Sequence, residues 1–294
     1  MTRRLSWTTW GWLLASHRVA GPRARHRTHH SPHALRPSRA RRKRGFGIIE
    51  LLVVLGIIAL AVAMLMPSLC RSRETANRVK CASNLRSVGQ AMLLYANDNK
   101  GAYPRATFVE GALPTWGTAA PAPNDVSAAL FILLRTQDIT PEVFVCPSSN
   151  AEKWDFGGGS NTAMNWSNWT DVNRNLSYSY HNPYSKYHQP GGPPEPEMLA
   201  VEFAVAADIN PGVGGNYSDV TAVTTTSSAR DMKRANSKNH DEDGQNVLYG
   251  DGHVSFEQNP FAGVDRDNIY TAKSGTVIAA PADVSDSILL PAAQ

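Results

Sequence analysis

Within residues 236–256, NSKNHDEDGQNVLYGDGHVSF, the chain gathers His240, Asp241, Asp243, Asp251 and His253. Imidazoles and carboxylates are metal ligands: oxygen-rich loops suit Ca²⁺, whereas mixed His and Asp sets suit Zn²⁺ or other transition ions. The spacing fits neither an EF-hand loop nor a His-Glu-x-x-His helix. Two readings stand side by side, a bound ion with Asp208 as a further candidate ligand, and a turn in which His240 and Asp251 hydrogen-bond to backbone. Cysteine chemistry is the second possibility. A Cys81–Cys146 bridge closes a loop of sixty-odd residues, worth about 4 kcal/mol in the chain-entropy account, while buried thiols are the alternative because spacing does not fix pairing. Either way Cys70 is left over. The third candidate is Glu50, one carboxylate inside an otherwise apolar run, where an acid costs on the order of a few kcal/mol and by default marks function.

The elements that hold these residues differ along the chain. Residues 46–66, FGIIELLVVLGIIALAVAMLM, contain Glu50 as their one ionisable side chain. A helix of that length spans roughly 31 Å, enough to cross a hydrocarbon core of about 30 Å. Arg41, Arg42, Lys43 and Arg44 precede it directly. Positive flanks stay on the cytoplasmic side, which puts the residues after 66 outside the cytoplasm. Ala61-Val62-Ala63 offers a signal-peptidase pattern, against which Glu50 argues. A lipoprotein site at Cys70 fits poorly, since Leu69 precedes it. From Leu69 to Tyr95 apolar residues recur mostly every three or four positions through Ala76, Val79, Ala82, Leu85, Val88 and Met92. That spacing makes an amphipathic helix, which Asn97, Asp98, Asn99 and Gly101 stop. Past Gly101 short strands and loops are expected. Residues 142–147, 176–180 and 198–207 are strand candidates, and 154–195 read as a long loop region. Residues 247–249 and 253–256 suit a β-hairpin turned by Gly250-Asp251-Gly252, and residues 286–291 a last strand or an interaction peptide.

Charge divides the chain in two. The 294 residues carry 29 Lys+Arg and 25 Asp+Glu, a formal +4, yet residues 1–45 hold twelve of the basic residues and no acid. The remaining 17 basic residues face all 25 acids, a net −8. Such a charge provides no general attraction for phosphate backbones and excludes nucleic acid as the expected partner. His26, His29, His30 and His33 in the basic stretch interleave with arginines that would repel a cation. No nucleophile elbow, phosphate loop or nucleotide fingerprint occurs.

Gly45-Phe46-Gly47-Ile48-Ile49-Glu50, with basic residues before it and Leu51-Leu52-Val53-Val54-Leu55 after it, strongly resembles the cleavage and methylation site of type IV prepilins and type II secretion pseudopilins. The resemblance implies that a prepilin peptidase cuts after Gly45 and that the new N-terminal Phe46 is N-methylated. It also implies that Glu50 serves assembly with other pilin or pseudopilin subunits and the secretion machinery. Gly47 departs from the Thr or Ser common there, and the 45-residue leader is longer than is usual. Residues 236–256 resemble the H-X9-DG segment of prepilin-like proteins, with ten residues rather than nine between His240 and Asp251. The fold implied is an α+β, pilin-like chain: leader 1–45 (removed), membrane or filament-core helix 46–66, stem helix 67–100, and an extracytoplasmic head 101–294 with a small antiparallel sheet and long loops. The family's calcium-binding C-terminal loops make structural Ca²⁺ at His240, Asp241, Asp243 and Asp251 the expected ion. The expected location is the inner membrane with a cytoplasmic N-terminus and the head in the periplasm or at the cell surface. The expected role is structural, without catalysis. The alternative from another class is a membrane-anchored, metal-dependent hydrolase using residues 240–253.

Overall fold

The computed structural model describes residues 45–117, 120–185, 187, 201–212, 220 and 223–292. Leader residues 1–44 lie outside them. The chain forms two units, Met1–Leu55 and Gly56–Gln294. In the first, helix α1 (Ile48–Asp98) begins, and the Gly47 amide donates to Glu50 Oε2 at 3.0 Å. Glu50 is thereby an acid on the positive end of its own helix. The apolar side chains from Phe46 to Met66 are exposed, and α1 is long and apolar enough to cross a membrane.

In the second unit the stem half of α1 buries Cys81, Leu85, Val88 and Met92, spaced four, three and four residues apart as one helical stripe requires. The expected stop is present: the Gly101 amide (φ 86°) donates to Ala96 O at 2.7 Å and Asn99 Nδ2 to Tyr95 O at 2.7 Å. Helix α2 (Val126–Thr136) stands where strands and loops are expected. Its signal is nonetheless local, because Asp125 caps it by accepting from the Ala128 amide at 2.8 Å and an apolar run follows. Residues 142–147 are not a strand. Pro141 opens a 3₁₀ turn, Pro141–Phe144, since its fixed φ favours a helical start. Within the expected loop region, residues 154–169 carry packed aromatics: Phe131 meets Trp154 and Trp169 edge-on at 5.2 and 5.5 Å, and Phe144 meets Trp169 at 5.2 Å. Short helices α3 (Val172–Asn175) and α4 (Ala229–Arg234) follow.

Five strands, β1 (Tyr178–His181), β2 (Ala204–Asp208), β3 (Gln245–Tyr249), β4 (Val254–Glu257) and β5 (Leu289–Leu290), form one antiparallel sheet in the order β4-β3-β2-β1-β5. The expected hairpin is β3–β4, and the 286–291 segment supplies the edge strand β5. One sheet face carries Ala206 and Leu248 into the core beneath α1, where a Cβ on Gly89 would sit 3.0 Å from Leu248. The opposite face carries Ala204, Ala207, Val247 and Tyr249 against Ile269 and Tyr270. An irregularity between Ala204 and Ala206 shifts the register, so Ala204 faces one side while Ala206 faces the other. In an unbroken strand Ala204, Ala206 and Asp208 would share a face.

Candidate functional site

That shift turns Asp208 toward the stem. There four ligand-type atoms, from Cys81 on α1, Cys146 after the 3₁₀ turn, Asp208 at the end of β2 and His240 in the 3₁₀ turn Lys238–His240, lie within 4.8 Å of one another. All four side chains are fully buried. The Cys81 thiol donates to Asp208 Oδ1 at 2.9 Å, Cys146 Sγ lies 3.6 Å from His240 Nε2, and His240 Nε2 lies 3.3 Å from Asp208 Oδ2. A surrounding layer fixes each group. Asn239 Nδ2 donates to Asp208 Oδ1 at 3.0 Å and the Asn246 amide to Asp208 Oδ2 at 2.7 Å. Asn246 Nδ2 lies 3.3 Å from Asp208 Oδ2 and 3.2 Å from His240 Nε2. The outer ring nitrogen, His240 Nδ1, meets Glu74 Oε1 at 2.7 Å, and Glu74 Oε2 accepts from Ser148 Oγ at 2.7 Å.

The electrostatics reflect this crowding. Burial, with the Cys146 thiol and the Asp208 carboxylate beside it, pushes Cys81 well above the usual thiol range. Hydrogen bonds from Cys81 and, against burial, from His240 bring Cys146 down to about 7. For His240 burial is outweighed by Asp208 and Cys146, which raise the imidazole to about 10. Burial opposes ionisation of Glu74, but Ser148, His240 and Arg78 together hold it below the ordinary carboxylate range.

The acidic-loop candidates are placed differently. Asp241 is exposed, Asp243 is shared between Arg78 Nη2 at 2.9 Å and Lys233 Nζ at 2.6 Å, and Asp251 pairs with His253 Nδ1 at 2.5 Å on the surface. The expected set of His240 with Asp241, Asp243 and Asp251 therefore does not converge: His240 turns inward while cations or solvent take the carboxylates. Asp208, an additional candidate in the sequence, is the carboxylate that meets His240. Cys81 and Cys146 are free thiols facing a common point. Glu74 and Ser148 are not among the residues the sequence marks: locally Glu74 is an ordinary i,i+4 partner of Arg78 at 3.3 Å, and its contacts with Ser148 and His240 join residues remote along the chain. A hydrolase requires an open coordination position reachable by substrate. The sealed cluster offers none, so the hydrolase reading is unsupported.

A long N-terminal helix with an exposed apolar first part, joined to a small antiparallel sheet, defines a pilin-like α+β protein with a membrane-anchoring segment. Residues 40–66 match the family described as the prokaryotic N-terminal methylation motif. The chain belongs to the family of the type II secretion system core protein G. It is 33% identical over 97 residues to that protein of Pectobacterium carotovorum subsp. carotovorum, 31% over 98 residues to that of Aeromonas hydrophila, and 30% over 98 residues to that of Dickeya chrysanthemi. Each match takes in 33% of this chain and 62%, 68% and 63% of the respective relative, so the chain spans just under two thirds of the first one's length. No solved structure matches it.

Proposed function

We propose that this chain is a pseudopilin, a structural subunit that a prepilin peptidase cuts after Gly45 and methylates at Phe46 before it joins a type II secretion pseudopilus. The observation that carries the reading is the methylation-motif match at residues 40–66, laid over the exposed apolar stretch 46–66 of α1, whose one acid is Glu50. Cleavage frees an amine at Phe46. A cation entering a low-dielectric bundle of apolar helices needs a negative partner, because an unpaired buried charge is far costlier than a paired one. Glu50 of a neighbouring subunit provides it, giving up its hydrogen bond from the Gly47 amide. The relatives named as secretion-system core proteins favour the pseudopilus over a surface pilus. The basic residues 41–44 directly before the apolar run support a single pass through the inner membrane with the head outside the cytoplasm. In this reading the chain is a substrate of the peptidase and catalyses nothing itself.

N-terminal sequencing of the mature protein tests the proposal. A start at N-methyl-Phe46 is expected, whereas a start at Met64, or retention of residues 1–45, overturns it. Glu50→Ala should leave insertion and cleavage intact yet reduce incorporation into filaments, and normal filaments from that variant would refute the charge-pairing role.

A further inference from the structure

We propose that Cys81, Cys146, Asp208 and His240 are the four ligands of a structural Zn²⁺ that fastens the stem part of α1 to the head. The donor set is two sulfurs, one imidazole and one carboxylate, and thiolate with imidazole selects zinc over the hard ion expected from the acidic loop. Two of the cluster's six edges, both at His240 Nε2, fit as well. For Zn–S bonds of about 2.3 Å and Zn–N and Zn–O bonds of about 2.0 Å, the sulfur–nitrogen and nitrogen–oxygen edges of a tetrahedron are about 3.5 Å and about 3.3 Å. The structure has 3.6 Å from Cys146 Sγ to His240 Nε2 and 3.3 Å from His240 Nε2 to Asp208 Oδ2.

A second, independent feature is the layer behind the ligands. His240 Nε2 points into the cluster while Nδ1 is tied to Glu74 Oε1 at 2.7 Å, the carboxylate–histidine arrangement that orients a metal-binding imidazole and raises its basicity. Asp208 is likewise pre-set by Asn239 and by the Asn246 backbone. Metal uptake displaces protons rather than electrons. The Cys81 proton now directed at Asp208 Oδ1, and any proton on Cys146 or on His240 Nε2, pass to solvent as the two Zn–S bonds, the Zn–N bond and the Zn–O bond form. Asn246 Nδ2 keeps Asp208 Oδ2 as its acceptor when Nε2 turns its lone pair to the ion. With four protein ligands and full burial the site is closed, which makes it structural rather than catalytic. The cross-link is long-range, as Cys81 and Asp208 are 127 residues apart and Cys146 and His240 are 94 apart.

The test uses the full chain purified in detergent under reductant, with metal content measured by elemental mass spectrometry. About one zinc per chain is expected, with Cys81 and Cys146 shielded from maleimide until a chelator or mercurial removes the metal. Added zinc, but not added calcium, should raise the melting temperature of the stripped protein. Cobalt substituted for zinc should give the visible absorption and sulfur-to-cobalt charge-transfer bands of a tetrahedral thiolate site. His240→Ala should lower zinc affinity more than tenfold. Should that variant fail to fold, Glu74→Gln keeps all four ligands and should weaken zinc binding by roughly 10- to 100-fold. Two results overturn the proposal. One is stripped protein with both thiols reduced that neither takes up zinc nor gains stability from it. The other is a two-dalton mass deficit mapping to a Cys81–Cys146 disulfide.

Discussion

Replacing Leu85 by alanine tests how the stem is held. Leu85 is 0% exposed in the middle of the stripe formed by Cys81, Val88 and Met92, and it belongs to the same core as Leu248 and Phe131. Removing its isobutyl branch forfeits transfer free energy and leaves a cavity that surrounding helix and sheet backbone cannot collapse around, a loss of about 3 kcal/mol for a buried leucine. Leu94, on the same helix and 60% exposed, meets neither condition, and its replacement by alanine should change stability by less than about 0.5 kcal/mol. For a folded part of this size, a loss of about 3 kcal/mol lowers the melting temperature by roughly 6–12 °C. Urea and thermal unfolding in detergent, followed by fluorescence of the buried Trp154 and Trp169, provide the readout. Equal losses for the two variants, or a Leu85→Ala loss below about 1 kcal/mol, would refute docking of the stem through this stripe.

Two further outcomes are expected. Gly244 has φ 153°, and a Cβ there would lie 2.3 Å from Glu257 O, so Gly244→Ala should cost more than about 3 kcal/mol by chemical denaturation, through forced separation of the β3–β4 ends. Burial and the neighbouring Asp286 push the Asp267 carboxyl up to about 7. A raised acid favours the folded state fully below its unfolded value near 4, and that contribution is lost as pH rises to about 7. Asp267→Asn should therefore be more stable than the parent at pH 8, by on the order of 2 kcal/mol, and not at pH 4. Melting curves at the two pH values check this, and an equal shift at both would count against it.

Local chemistry makes much of the molecule readable. The apolar run of residues 46–66, the basic flank, the three-and-four spacing of the stem and the glycine turn of the β3–β4 hairpin are all encoded within a few neighbouring residues. Helix α2 is readable too, since Asp125 is an ordinary N-cap before an apolar run, but its mostly apolar composition resembles a buried strand when periodicity alone is weighed. Pro141 carries the correction to the 142–147 reading in its own fixed φ. The acidic loop misleads because its carboxylates are adjacent in sequence, whereas Arg78, Lys233 and His253 claim two of them in space.

The helix, the membrane-length segment and its processing motif are set by sequence order, because backbone hydrogen bonds and burial periodicity act over four residues or fewer. The meeting of Cys81, Cys146, Asp208 and His240 is set by the fold. It depends on a register shift between Ala204 and Ala206 that swings Asp208 beneath α1, and on a stem stripe that brings Cys81 to the same point. No spacing rule encodes that convergence, since each ligand comes from a different element and the shared position exists once sheet register and helix docking are set together.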